Sequence, residues 1–159
     1  SESSTDVPKI LIIGDSISSG YFPLVQKNLI GKAKVYQPTY SEKNGKIKAC
    51  CGGTSHGVKE IEIFLSDTKW DIIHFNFGLH DIKHIDPITG KNSKNLSHPH
   101  QASPEQYEKN LIEIVEKLKR TGAPKHHYTI LSSLKAGDEF ELRLAVKADV
   151  TQGLRLLAQ

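Results

Sequence analysis

Apolar positions along the chain fall in short blocks separated by polar stretches rich in glycine and proline. Residues 9–13 (KILII) are a β-branched run that stops at Gly14, the pattern of a buried parallel strand. Phe22, Val25 and Leu29 share one face of a helix expected over 21–30, which Gly31 closes. A second short strand is expected over 34–36. The polar stretch 37–53, with Pro38, Asn44 and Gly45 as turn signals, reads as a loop. Val58, Ile61, Phe64 and Leu65 return to helical spacing, and 70–77 reads as a strand ending at Gly78.

Residues 79–103 are rich in Pro, Asn, Ser and His and show no period; a loop of that length in a compact domain is usually functional or mobile. Ser103-Pro104-Glu105-Gln106 is a helix start, with Ser as N-cap, Pro at the first helical position and Gln106 expected to complete a capping box. Tyr107, Leu111, Ile114, Val115 and Leu118 then form an apolar stripe, and Gly122 is the expected C-cap. A further strand is expected over 127–131. Beyond Ser132 the pattern divides: Phe140, Leu142, Leu144 and Val146 alternate as in a strand, while Leu142, Ala145 and Val146 also suit a helix. Residues 153–159 fit a short terminal helix.

Strands and helices therefore alternate, which argues for an α/β domain around a central parallel sheet. Right-handed crossovers bring the ends of successive strands to one edge, where open α/β sheets form their ligand sites. Ser16 and the 78–81 segment both follow expected strands, so this topology brings them together. No internal repeat is present. Residues 1–8 read as a flexible lead-in and 9–159 as a single domain.

Composition narrows the function classes. With 159 residues, 37% hydrophobic and 25% charged, the chain suits one globular domain with its own core. The net charge of +3 is small and the lysines are dispersed, so no nucleic-acid partner is expected. No apolar run approaches the roughly 18 residues of a membrane span. The chain contains no Met, position 1 included. That reads as an excerpt or as a mature form with its leader removed; the second would favour a secreted or periplasmic location, and the first leaves the location open. Cys50 and Cys51 are adjacent and make no disulfide framework, so they leave the redox compartment open.

Three segments carry residues suited to chemistry. In Gly14-Asp15-Ser16-Ile17-Ser18 a tight turn after a strand can project the Ser16 hydroxyl as a nucleophile, with free backbone N–H groups beside it. Read structurally, Asp15 and Ser16 are ordinary N-cap residues. In Cys51-Gly52-Gly53-Thr54 the glycines let backbone approach a reacting group; read structurally, they are a turn before a helix capped by Thr54 or Ser55. In Gly78-Leu79-His80-Asp81 the imidazole can donate an N–H or act as a base, or be a polar loop residue. His80, Asp81 and His84 would form a zinc-binding cluster only on a helix, and Pro87 argues against one there. Gly14-Asp15-Ser16 lacks the lysine and spacing of a phosphate-binding loop. No metal or cofactor is expected.

The order of these pieces resembles the SGNH/GDSL hydrolase superfamily over residues 9–131. The resemblance implies a three-layer, flavodoxin-like α/β fold and a serine ester hydrolase acting on small esters or acylated carbohydrate. It implies Ser16 as nucleophile, with an oxyanion hole built from Ser16, Gly53 and the residue at position 80, supported by Gly14, Asp15 and Asp81. Two departures stand out. The family's Gly-X-Asn-Asp is Gly78-Leu79-His80-Asp81 here, similar to a branch that uses His at this position; a neutral imidazole still offers one N–H. The family's C-terminal Asp-X-X-His, source of the base and its orienting acid, does not occur in the final forty residues, where Asp149-Val150-Thr151-Gln152 has Gln in place of His. The C-terminal part is therefore atypical or truncated by that comparison. His84 is the substitute base to weigh, with His98 and His100 in the same loop. Two alternatives to an active esterase follow: a catalytically impaired relative that binds ligand without turnover, and a truncated or rearranged form of a longer enzyme.

Overall fold

The computed structural model describes residues 7–123 and the backbone of 125–128. A four-stranded, all-parallel sheet forms its centre. Its strands are β1 (Lys9–Gly14), β2 (Lys34–Tyr36), β5 (Ile72–Asn76) and β6 (Lys125–Tyr128), in the order β2-β1-β5-β6. Between them in sequence run the helices α1 (Ser16–Asn28), α2 (Thr54–Leu65) and α3 (Pro104–Arg120). The expected α/β class with a central parallel sheet is the observed one.

Period-two alternation divides the sheet between two helical layers. Leu11 and Ile13 of β1 lie level with Ile73 and Phe75 of β5, and all four join one core with Ile61, Phe64 and Leu65 of α2 and Leu111, Ile114 and Leu118 of α3. The intervening positions face α1, where His74 of β5 meets the Tyr21 hydroxyl at 2.9 Å. Ile61, Ile73, Ile114 and Leu118 are fully buried. Burying side chains of this size contributes about 1.5–3 kcal/mol each, so this core holds the sheet against α2 and α3.

Several local expectations change. The helix read over 21–30 begins five residues earlier, at Ser16, because the Asp15 carboxylate caps it through the Ile17 N–H at 2.9 Å. The loop read over 37–53 contains an antiparallel hairpin of β3 (Thr39–Ser41) and β4 (Ile47–Ala49). α2 is not capped by Thr54 or Ser55; its N-cap is Gly53, which has no side chain to do so. Ser103 does cap α3, accepting from Gln106 N at 3.2 Å, with Pro104 in the first turn. The Gln106 side chain, however, reaches forward to Asn110 Oδ1 at 2.7 Å rather than closing a capping box. Gly122 takes the left-handed conformation just past the helix end.

The long stretch 79–103 is folded back on itself rather than open. Backbone bonds run from Ile85 N to Pro99 O, Ser93 N to His84 O, Gln101 N to Lys83 O and Ala102 N to Asp81 O. Among the described residues no helix is long and apolar enough to cross a membrane. The readings made beyond residue 128 lie outside the described residues.

Candidate active site

Two strands end side by side, and the site is built on their ends. Gly14 pairs with Asn76 across β1 and β5, and Asp15 N donates to Asn76 O at 3.0 Å. Gly14 sits at φ +154°, and a Cβ there would lie 1.9 Å from the Asn76 carbonyl oxygen. Only glycine allows the chain to turn here and start α1 at once. Ser16 is thereby the first residue of the helix, and its side chain is exposed at the sheet edge.

Three hydrogen-bonded ties draw the three sequence segments together. Gly52 N donates to Gly14 O at 3.2 Å, which brings the start of α2 beside the start of α1. Asp15 uses its second oxygen to accept the Leu79 N–H at 3.1 Å, fixing the turn after β5 to the turn after β1. Asp81 accepts Thr54 N with both carboxylate oxygens, at 2.9 and 3.1 Å, and the Thr54 hydroxyl at 2.6 Å. Asp81 is thus the side-chain cap that α2 lacks locally, supplied from 27 residues away. Ser16, Gly53 and His80 each belong to a segment held by one of these ties.

The electrostatics follow from burial. Asp15 and Asp81 are both fully buried. Desolvation pushes the Asp81 carboxyl above the ordinary carboxylate range, and the Thr54 bonds oppose that shift. Each carboxylate stands at the N-terminus of a helix, where the helix dipole favours negative charge. The backbone N–H groups of Ser16 and Gly53 make no hydrogen bond with another described residue. Two helix N-termini that begin side by side with uncommitted N–H groups favour an anion between them.

His80 is half-buried, and burial with the nearby Lys83 ammonium lowers its pKa below the ordinary imidazole range. Lys83 Nζ lies 3.3 Å from its Nδ1. His84 is elsewhere employed: its Nδ1 donates to His98 O at 2.6 Å and its ring stacks on His100 at 4.5 Å. Among the described residues no hydrogen bond or ring contact joins His84 to Ser16. His56 meets Cys50 Sγ at 3.4 Å, and His74 meets Tyr21. His80, Asp81 and His84 form no cluster suited to a metal among the described residues, since Asp81 turns inward to Thr54 and His84 to the loop.

Some contributors were not apparent from the sequence. Asn110, buried in α3, donates to the Thr54 hydroxyl at 2.9 Å and to the Ser55 hydroxyl at 3.0 Å. Its signal was available: it stands at helical spacing between Tyr107 and Leu111, a polar residue on an apolar stripe. Gln101 lies against Gly53, where an added Cβ would come within 2.8 Å of Nε2. Tyr107 donates its buried hydroxyl to Phe77 O at 2.7 Å, holding the end of the strand that leads to Gly78.

The fold is similar to that of solved hydrolases. The chain superposes on LAE5, an alpha/beta hydrolase enzyme from the metagenome of Lake Arreo, Spain, with a TM-score of 0.57 and 17% identity, over 95% of this chain and 72% of that one. On TesA the TM-score is 0.56 at 17% identity, over 94% of this chain and 73% of that one. The chain shares its α/β fold with these proteins. The acetyl xylan esterase AlAXEase shares it at a TM-score of 0.53 and 15% identity, over 76% of this chain. The chain spans 56% of the length of that esterase. At these identities the likeness is one of fold. No protein-family pattern and no curated protein matches the chain.

Proposed function

We propose that the edge around Ser16 is the nucleophile and oxyanion half of a serine ester-hydrolase site. The observation that carries this reading is the set of three ties, Gly14–Gly52, Asp15–Leu79 and Asp81–Thr54, which gathers Ser16, Gly53 and His80 around two helix N-termini. The Ser16 oxygen attacks the acyl carbon of an ester as a base takes its proton; the adduct expels the alcohol, and water then hydrolyses the acyl-serine. The charge that develops on the carbonyl oxygen is held by the N–H groups of Ser16 and Gly53 and by the ring N–H of His80. Gly14 permits the turn, and Asp15 and Asp81 hold the two flanking segments. Small esters and acylated carbohydrate are the proposed substrates; a fold neighbour that is an acetyl xylan esterase supports the second class.

Ser16 still needs a base, and no imidazole is its hydrogen-bond partner among the described residues. That observation favours a second reading, in which this chain binds an acyl or sugar ligand without turnover. Turnover of p-nitrophenyl acetate by the chain and by Ser16→Ala separates the two. The hydrolase reading expects the variant to fall to the buffer rate and the unmodified chain to be labelled at Ser16 by a fluorophosphonate. Equal rates with no labelling would remove Ser16 as the nucleophile.

A further inference from the structure

An oxyanion donor must present a proton. A neutral imidazole has one N–H, and which nitrogen bears it decides whether the ring can donate in a given direction. An asparagine at the same position has no such ambiguity. A histidine at position 80 therefore raises a requirement that the rest of the site has to meet.

Lys83 meets it. Its Nζ lies 3.3 Å from His80 Nδ1, and an ammonium is a donor only, so the contact requires a lone pair on Nδ1. We infer that Lys83 is a positioning residue for His80: by donating to Nδ1 it fixes the proton on Nε2, and it polarises the ring so that Nε2–H becomes a charge-assisted donor. The use of that donor rests on the hydrolase reading above; the tautomer does not.

The local fold supports the pairing. Asp81 N and Ile82 N both bond Gly78 O, a helical turn that sets positions 80 and 83 on the same side. No described carboxylate pairs with Lys83, whereas Lys48, Lys59 and Lys117 pair with Glu42, Glu60 and Glu113. The charged and titratable groups that face His80 come from three elements: Lys83 from its own turn, Asp15 from the start of α1 and His56 from α2. Lys83 and His56 disfavour the imidazolium and Asp15 favours it, while burial adds to the first side. His80 therefore stays neutral at pH values where an ordinary histidine is charged. Through it, part of the Lys83 charge reaches the site without titration of the imidazole.

The test uses the full chain labelled with ¹⁵N-histidine. Long-range ¹H–¹⁵N spectra report the tautomer, and His80→Gln assigns the signal. The expected result is a single Nε2–H form, a mixture of both neutral tautomers with a raised titration midpoint in Lys83→Met, and recovery of the first pattern in Lys83→Arg. On p-nitrophenyl acetate, Lys83→Met should lower kcat about tenfold with KM unchanged, short of the ~10²–10³-fold cost of deleting a whole donor. An Nδ1–H form in the unmodified chain, or a tautomer indifferent to Lys83→Met, overturns the inference and leaves the hydrolase reading standing. A tautomer that responds as stated in a chain without esterase activity upholds the role of Lys83 and removes the hydrolase reading.

Discussion

The Asp15 carboxylate accepts Ile17 N at 2.9 Å with one oxygen and Leu79 N at 3.1 Å with the other, so the residue that starts α1 also anchors the turn after β5, 64 positions away. Both partners are N–H donors and both oxygens are used. Asp15→Asn keeps the size but leaves one acceptor, and sets its amide group against a backbone N–H. The side chain is fully buried, so water cannot repair the loss. A cost of about 2–3 kcal/mol is expected, combining a lost cap with an unsatisfied donor. Urea denaturation of Asp15→Asn measures it. A change under about 0.5 kcal/mol, the range of ordinary surface substitutions, would show that this carboxylate does not hold the two segments.

The turn itself makes a sharper demand at Gly14. A methyl group there meets the Asn76 carbonyl oxygen at 1.9 Å, in a backbone conformation that side chains rarely adopt. Gly14→Ala should cost about 3 kcal/mol or more, through overpacking and backbone strain together. Gly45 and Gly90 are the controls, since both have positive φ but nothing within 4 Å of an added Cβ. Alanine at either should cost about 1–2 kcal/mol, the conformational penalty alone. Thermal melts of the three variants test the contrast. A Gly14→Ala chain as stable as the controls would mean that β1 and β5 separate at their ends.

A third expectation concerns the buried chain Asp81–Thr54–Asn110. The Thr54 hydroxyl donates to Asp81 at 2.6 Å and accepts from Asn110 at 2.9 Å, which joins the loop after β5, the start of α2 and the body of α3. Asn110→Leu and Thr54→Val should each destabilise by about 1–3 kcal/mol. Because they share one bond, the double variant should lose less than the sum, with a coupling of about 1 kcal/mol. Strict additivity would argue against the network.

What the sequence disclosed and what it withheld follow from the range of the interactions. The runs at β1 and β5 and the stripe of α3 were legible because burial on a periodic face marks each residue in place. The hairpin was not: Thr39, Tyr40 and Ser41 are all exposed, so no alternation records the strand. The first turns of α1, Ser16-Ile17-Ser18-Ser19-Gly20, carry no apolar stripe, and the cap that starts them is tied to a residue in another segment. In the candidate site, the segments of Ser16 and Gly53 were singled out by their order along the chain, and the fold places the two turns side by side. The cap of α2 was expected from Thr54 or Ser55, because its real source, Asp81, lies across the fold. Lys83 gave no signal, since a lysine in an aperiodic loop looks like any solvated charge.

Two groups of opposite sign contribute to the pH dependence of stability on the acid side. The His80 pKa is lowered in the folded chain by burial and by Lys83. As pH falls below the ordinary imidazole value of about 6.5, the unfolded chain takes up a proton that the folded chain refuses, so stability declines until the lowered folded value is reached. Asp81, raised by burial, acts the other way: the folded chain binds its proton first, which adds stability as pH falls through the raised value towards the ordinary carboxylate range. His80→Gln removes only the first effect. Denaturant midpoints of the chain and this variant, followed from about pH 8 to about pH 5, should diverge on the acid side, with the variant losing less stability. Parallel curves would mean that His80 takes up its proton as readily in the folded chain as in the unfolded one, and the lowering by burial and Lys83 would fail.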